Sequence, residues 1–211
     1  HADAKLPEKG FFLIDGKKVY TDAAGFDLYA PCDEDVVIHP HGKHMFNTYN
    51  RLIFPKGYMG MIADRSNIGS KGIKYLSGII DSDYLGEIRV ILANLNNIPV
   101  VFTNTAEAEL NANKYDYYDL HKKKFINIRN NADSSKKEEY LTQVNAKNSN
   151  LVPLDKIVVR HLENGIAQML LIEVPKAQPY TTEITEEEFE LLASESKRGA
   201  NGFGSTNVGA K

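Results

Sequence analysis

The first hundred residues are cut into short apolar runs by glycine, proline and aspartate, and this punctuation limits the fold more than any other feature. Phe11-Phe12-Leu13-Ile14 ends at Asp15-Gly16, Val36-Val37-Ile38 at Pro40-His41-Gly42, and Leu52-Ile53-Phe54 at Pro55-Lys56-Gly57. Tyr58–Ile62 follows, then Ile88–Leu92 with partial alternation, and Ala167–Val174 adds a further run that is apolar nearly throughout. Short runs at this spacing imply antiparallel strands closed into a sandwich or barrel.

Composition narrows what such a fold can bind. With 211 residues, 42% of them hydrophobic and 25% charged, the chain is an ordinary globular sequence, long enough to bury a core. Its net charge of −3 offers no general field for a nucleic-acid backbone. A polyphosphate site would take its positive charge locally, from Arg65, Arg198 and a divalent cation. Cys32 is the only cysteine, which excludes an intramolecular disulfide and fits a reducing compartment. Nothing near it in sequence would lower a thiol pKa, so it reads as a small half-buried residue. No apolar run reaches membrane-spanning length, and His1–Lys5 does not read as a signal peptide. The cytosol is the expected location.

From about Leu95 to Arg160 the character changes: the stretch is polar and rich in Asn, Lys and Tyr. It is far longer than an ordinary connection. Asn104-Thr105-Ala106-Glu107 and Ser135-Lys136-Lys137-Glu138 have capping-box spacing, which predicts two short helices inside it. Near the C-terminus, Thr185–Leu192 fits a short helix or an extended acidic arm equally well.

Arg198-Gly199-Ala200-Asn201-Gly202-Phe203-Gly204-Ser205-Thr206 combines three glycines with an arginine, an aromatic ring and two hydroxyls. Such a segment lets peptide N–H groups converge on phosphate oxygens. Arg198 adds a planar cation and Phe203 a face for a base, although a flexible tail has the same composition. Asp81 follows Ile79-Ile80 and precedes a turn, so a strand end would project its carboxylate to a pocket edge. A turn-capping role is the competing reading. His39, His41 and His44 fall in a Pro-Gly turn and read as a solvated hairpin tip rather than a metal site.

Five blocks in order resemble the motifs of the all-β, homotrimeric dUTPases: Ala24–Leu28, Arg65–Ile68, Gly78–Glu87, Gly165–Met169 and Arg198–Thr206. The resemblance implies an all-β, jelly-roll or barrel core with an inserted mixed segment and a flexible Gly-rich C-terminal arm. Residues 1–94 and 161–182 would form the barrel, 95–160 the insertion and 183–211 the arm. An insertion at this place resembles those of dUTPases encoded by some bacteriophages.

The resemblance also assigns roles. Asp81 would be the general base that activates water for attack on the α-phosphorus of dUTP, giving dUMP and pyrophosphate. Tyr84 would stack beneath the deoxyribose and exclude a 2′-hydroxyl, and the backbone of Gly78 would bind uracil. Arg65, Ser66, Asn67 and Gln168 fall in the phosphate-contacting blocks, with Asp27 as an electrostatic partner of Arg65. Arg198, Gly204 and Ser205 would clamp the γ-phosphate while Phe203 stacks on the base. Mg²⁺ would be held through phosphates and water, and the sites would be shared between subunits of a trimer. Three positions depart from the family pattern: Tyr75-Leu76-Ser77 before Gly78, Asn67 in place of Gly or Ser, and Gly165 in place of Arg or Lys.

Two other readings stay open. The related dCTP deaminases place a glutamate where this chain has Ile91 and an arginine where it has Ser70. A regulatory role would use the insertion as a protein-docking surface through Tyr115, Tyr117 and Tyr118, which otherwise pack the insertion onto the barrel.

Overall fold

A computed structural model describes residues 2–129, 131–146, 149–175 and 185–195. The N-terminal part runs β1 (Glu8–Lys9), β2 (Phe11–Ile14), β3 (Lys17–Tyr20), β4 (Phe26–Leu28), β5 (Val36–Ile38) and β6 (Lys43–Arg51). There follow β7 (Tyr58–Ala63), the single turn α1 (Ser66–Gly69), β8 (Ile73–Tyr75), β9 (Ile79–Ile80), β10 (Glu87–Asn94) and β11 (Val100–Thr103). Next come α2 (Glu107–Asn113), β12 (Tyr117–Asp119), β13 (Lys124–Ile126), α3 (Ser134–Val144) and β14 (Leu151–Pro153). The remaining elements are β15 (Val158–His161), β16 (Ala167–Glu173) and α4 (Glu186–Glu195).

Three sheets enclose the main core: β1-β4-β16-β7-β9, β6-β10-β8 and β15-β11-β5. Leu28, Ile38, Phe46, Ile62, Val90, Phe102 and Ile166 meet inside them. The architecture is the all-β class the punctuation implies. At the β2–β3 hairpin, Asp15 and Gly16 both take positive φ (50° and 74°), the conformation a tight two-residue hairpin turn demands.

Two segments depart from the sequence pattern. Leu52–Phe54 carries no strand; Phe54 folds into the core beside Gly60, and a turn closes from Tyr58 N–H to the Pro55 carbonyl. The missed strand is β6, whose inward residues include Thr48 and Asn50 while Met45 and Tyr49 point outward. Polar side chains can line this interior because they are satisfied. Thr48 Oγ1 donates to the Ile88 carbonyl at 2.7 Å and Asn50 Nδ2 to that of Lys5 at 2.9 Å.

The polar segment starts and ends inside the barrel. β11 pairs with β15 in parallel, Val100 opposite Val158 and Thr103 opposite His161. A parallel pair cannot be joined by a tight turn. Residues 104–157 form the crossover between the two strands. Within it, β13-β12-β14 forms a small sheet with Tyr140 and Val144 of α3 packed on its own apolar cluster. Both helices exist, but neither uses the expected cap. Ala106 precedes α2 with no side-chain cap bond, and Asp133 caps α3 by accepting from Ser135 N and Lys136 N.

The three tyrosines of the insertion differ in burial. Tyr118 is fully buried against Val37 and Val101, and its hydroxyl donates to Asp35 Oδ2 at 2.9 Å. Tyr115 packs near Phe125, and Tyr117 sits in the insertion's own apolar cluster. Only Tyr118 packs the insertion onto the barrel; Tyr115 and Tyr117 are half-buried within the insertion itself. The chain divides into two compact units at Val174–Pro175. In the second unit, α4 opens on a reciprocal cap: Thr185 N donates to Glu188 Oε2, and Glu188 N to Thr185 Oγ1.

Candidate active site

Asp81 stands just past β9, a two-residue strand paired with β7 through Gly60–Ile80 and Met61–Ile79. Ile80 is buried and anchors the strand end, whereas Ile79 is 61% exposed, so only one of the two isoleucines is a core residue. The Asp81 carbonyl accepts from Tyr84 N at 3.1 Å, closing a turn that leaves the carboxylate exposed. Tyr84 folds back over this turn, its hydroxyl donating to the Glu87 carbonyl at 3.0 Å. A Cβ at Gly86 would lie 2.4 Å from that hydroxyl oxygen, so the glycine is what permits the tyrosine's position.

Together with Ser77, Glu87, Arg89 and Ile91, these residues line a pocket of about 250 Å³. Gly78, expected to bind uracil, is not among the residues that line this pocket; its carbonyl accepts from Ile62 N at 2.7 Å, and the Ile62 carbonyl and the Tyr75 ring fill the space a Cβ would need. The Tyr75-Leu76-Ser77 departure therefore has a structural use. Glu87 and Arg89 were not singled out from the sequence. They flank a register shift in β10, where Glu87 Oε1 accepts from Tyr49 N.

A second pocket, of about 470 Å³, gathers Gly25, Asp27, Asp64, Arg65, Ser66 and Gln168. It shares no lining residue with the first. Arg65 Nε meets Asp27 Oδ1 at 2.9 Å, and its Nη1 donates to the Gly165 carbonyl at 3.3 Å. Gly165 takes φ 67°, and a Cβ there would come within 3.2 Å of that nitrogen. Arg65 thus leans across the place where the family pattern has a cation. Burial pushes the Asp27 carboxyl above its ordinary pKa, and the facing guanidinium opposes the shift.

Gln168 is set by register, opposite Asp27 on one side and Ala63 on the other. Its Nε2 donates to the Asp64 carbonyl at 2.8 Å, leaving one amide hydrogen for a ligand. The Asp64 carboxylate is engaged by Lys74 Nζ and Tyr75 N. Asp64 lies in none of the five blocks and reaches the pocket from the end of β7, next to Arg65.

Of the expected phosphate contacts, Arg65, Ser66 and Gln168 converge, with Asp27 beside Arg65 as its expected electrostatic partner. Asn67 does not line the pocket; its Oδ1 accepts from Arg160 Nη1 at 3.0 Å. Arg198, Phe203, Gly204 and Ser205 lie outside the described residues. Among the described residues no group of three His, Cys, Asp or Glu side chains could hold a metal. His41 bonds Asn97, while His44 packs edge-on to Phe46, and burial holds its pKa down. Burial also pushes the Cys32 thiol up.

The dUTPase family model matches residues 15–115, the segment that holds the first three blocks. Over this segment the chain is similar to the dUTPase family. The deoxyuridine 5′-triphosphate nucleotidohydrolase of Wolbachia pipientis subsp. Culex pipiens is 41% identical over 80 residues, 36% of this chain and 52% of the relative. That of Candida albicans is 40% identical over 91 residues, 43% and 50% of the two chains. The chain spans about half the length of the curated relatives it matches.

A Staphylococcus bacteriophage 80alpha dUTPase structure with dUPNHPP superposes at a TM-score of 0.55 over 97% of this chain and 93% of that one. With 21% identity, the likeness is one of fold. The all-β dUTPase-like architecture accordingly extends beyond the matched segment into the crossover and β16.

Proposed function

We propose that the chain hydrolyses dUTP to dUMP and pyrophosphate, with Asp81 as general base. The observation that carries the reading is Asp81 and Tyr84 on one wall of the first pocket, held there by a single turn. The exposed carboxylate can accept a proton from water while directing its oxygen at the α-phosphorus. As that P–O bond forms, the bond to the bridging oxygen breaks and pyrophosphate leaves. Tyr84, fixed by its bond to Glu87, offers the flat surface on which a deoxyribose fits and a 2′-hydroxyl collides.

The second pocket is the phosphate side. Arg65 is oriented by Asp27, Ser66 presents a hydroxyl, and Gln168 keeps one amide hydrogen for an oxygen. The carboxylates there, Asp27 and Asp64, already face cations. This donor set suits Mg²⁺ held by substrate phosphates and water rather than by a protein cage. When bound, the ion would neutralise phosphate charge.

Two pockets without a shared residue also favour a site completed by neighbouring subunits of a homotrimer. The bacteriophage 80alpha dUTPase likeness supports the nucleotide reading through fold alone. Ile91 gives the first pocket an apolar wall where the deaminase reading needs an acid. Among the described residues no helix is long and apolar enough to cross a membrane.

The deciding experiment separates the products of dUTP, dCTP and UTP after mixing with protein and Mg²⁺, beside an Asp81→Asn control. Release of dUMP and pyrophosphate from dUTP alone, lost in the variant, is the expected result. Deamination of dCTP, or no turnover of any nucleotide, would sink the proposal.

A further inference from the structure

Arg160 is 6% exposed, yet among the described residues only one of its guanidinium nitrogens has a partner. Nη1 donates to Asn67 Oδ1, whereas Nε and Nη2 are enclosed with no hydrogen-bond partner. The residue lies on β15 opposite Phe102 and two positions after Val158, which packs on the main core. A cation on this face enters the barrel. The charge near it is another cation, Arg65; burial first, and then that neighbour, lowers the Arg160 pKa. A buried charge without a counter-charge is costly, and its surroundings favour the approach of an anion.

Asn67 stands in α1 between Ser66 and Ile68. Ile68 is buried in the core, while Arg65, Ser66 and Gly69 of the same turn line the phosphate-side pocket. Arg160 therefore grips this turn through the one residue in it that neither enters the core nor lines the pocket. Gly165 contributes no charge, and Arg160 brings one from the barrel interior, where salt screens it little.

We propose that Arg160 is a positioning residue of the phosphate-side pocket: it holds the Arg65–Gly69 turn through Asn67, and its unneutralised charge strengthens polyphosphate binding. The naming of the ligand as a nucleoside triphosphate rests on the dUTP reading; the buried charge does not.

The test compares the full-length wild type with Arg160→Leu and Arg160→Gln by calorimetry. The probes are inorganic tripolyphosphate, a non-hydrolysable dUTP analogue and dUMP, and the melting temperature of each free protein is also measured. Arg160→Leu should melt about 2–8 °C higher, because it removes an uncompensated charge. Both variants should bind tripolyphosphate and the triphosphate analogue about five- to thirtyfold more weakly, with dUMP affinity changed less than about twofold. Arg160→Gln keeps a donor toward Asn67, so it carries the test if the leucine variant does not fold. Unchanged tripolyphosphate affinity, equal losses for dUMP and the triphosphate, or a lower melting temperature in both variants would each overturn the proposal. Wild-type protein that binds tripolyphosphate but turns over no dUTP would defeat the enzymatic reading and leave this one standing.

Discussion

The two pockets differ in how far the chain travels to build them. The first pocket, with Asp81 and Tyr84, is mostly local: Ser77 through Ile91 supply nearly all of it, with Met45 and Ile62 as backing. The phosphate-side pocket is assembled from β4, the turn after β7, and β16, and its Gln168–Asp64 bond joins residues 104 positions apart. A local pocket is positioned by one turn and one glycine, so its chemistry can be altered without unsettling the barrel. A dispersed pocket depends on strand register and passes any disturbance to the core.

The largest expected effect lies on the local side. Asp81→Asn should lower kcat by roughly 10²- to 10⁴-fold while affinity for a dUTP analogue stays near wild type, which single-turnover kinetics and calorimetry would separate. Mixing that variant with Gln168→Ala tests whether the two pockets of one site belong to different chains. Turnover above that of either parent after refolding together is expected, and a strictly additive result would place both pockets in one subunit.

Next in size is Gly25→Ala, whose Cβ would sit 2.9 Å from Gln168 Oε1. It should raise KM by about tenfold with a smaller change in kcat, since it displaces a ground-state phosphate contact. On the local side, Gly86→Ala pushes against Tyr84 and should cost about five- to tenfold in dUTP-over-UTP preference. An unchanged preference would detach Tyr84 from sugar selection.

The smallest effect concerns neither pocket. Tyr118→Phe should destabilise the protein by about 1 kcal/mol, and its main signature is in alkali. Burial, followed by the Asp35 carboxylate, raises the Tyr118 pKa well above the ordinary 10.0. The unfolded chain ionises first, so this contribution is intact below pH 10 and is lost as pH rises beyond it. Denaturant midpoints measured across that range should fall more steeply for wild type than for the variant.

Most of the barrel was legible because Val36–Ile38, Tyr58–Ala63 and Ala167–Glu173 announce themselves by apolar runs between turn residues. β6 was not, since its buried face is partly polar and only distant carbonyls reveal why Thr48 and Asn50 can be inside. The Asp27–Arg65 pair was legible from the blocks, whereas Asp64 and Arg160 were not. An arginine in Val158-Val159-Arg160-His161 reads as an exposed strand position. Only the parallel pairing with β11 turns it inward. Likewise Asp133, not Ser135, caps α3, a shift of two residues that spacing alone does not resolve.

The parallel pairing of β11 with β15 also has a consequence for descent. Thr103 and Val158 lie at opposite ends of the paired strands, so some stretch of chain must always run back between them. Mutation can lengthen, trim or exchange that return path, but reducing it to a two-residue turn would part the strands. Heredity is thereby given a fixed address for novelty: a segment recruited between these strands finds Val101 and Asp35 already waiting as a mooring, while Asp81, at the end of a strand in another sheet, is spared the experiment.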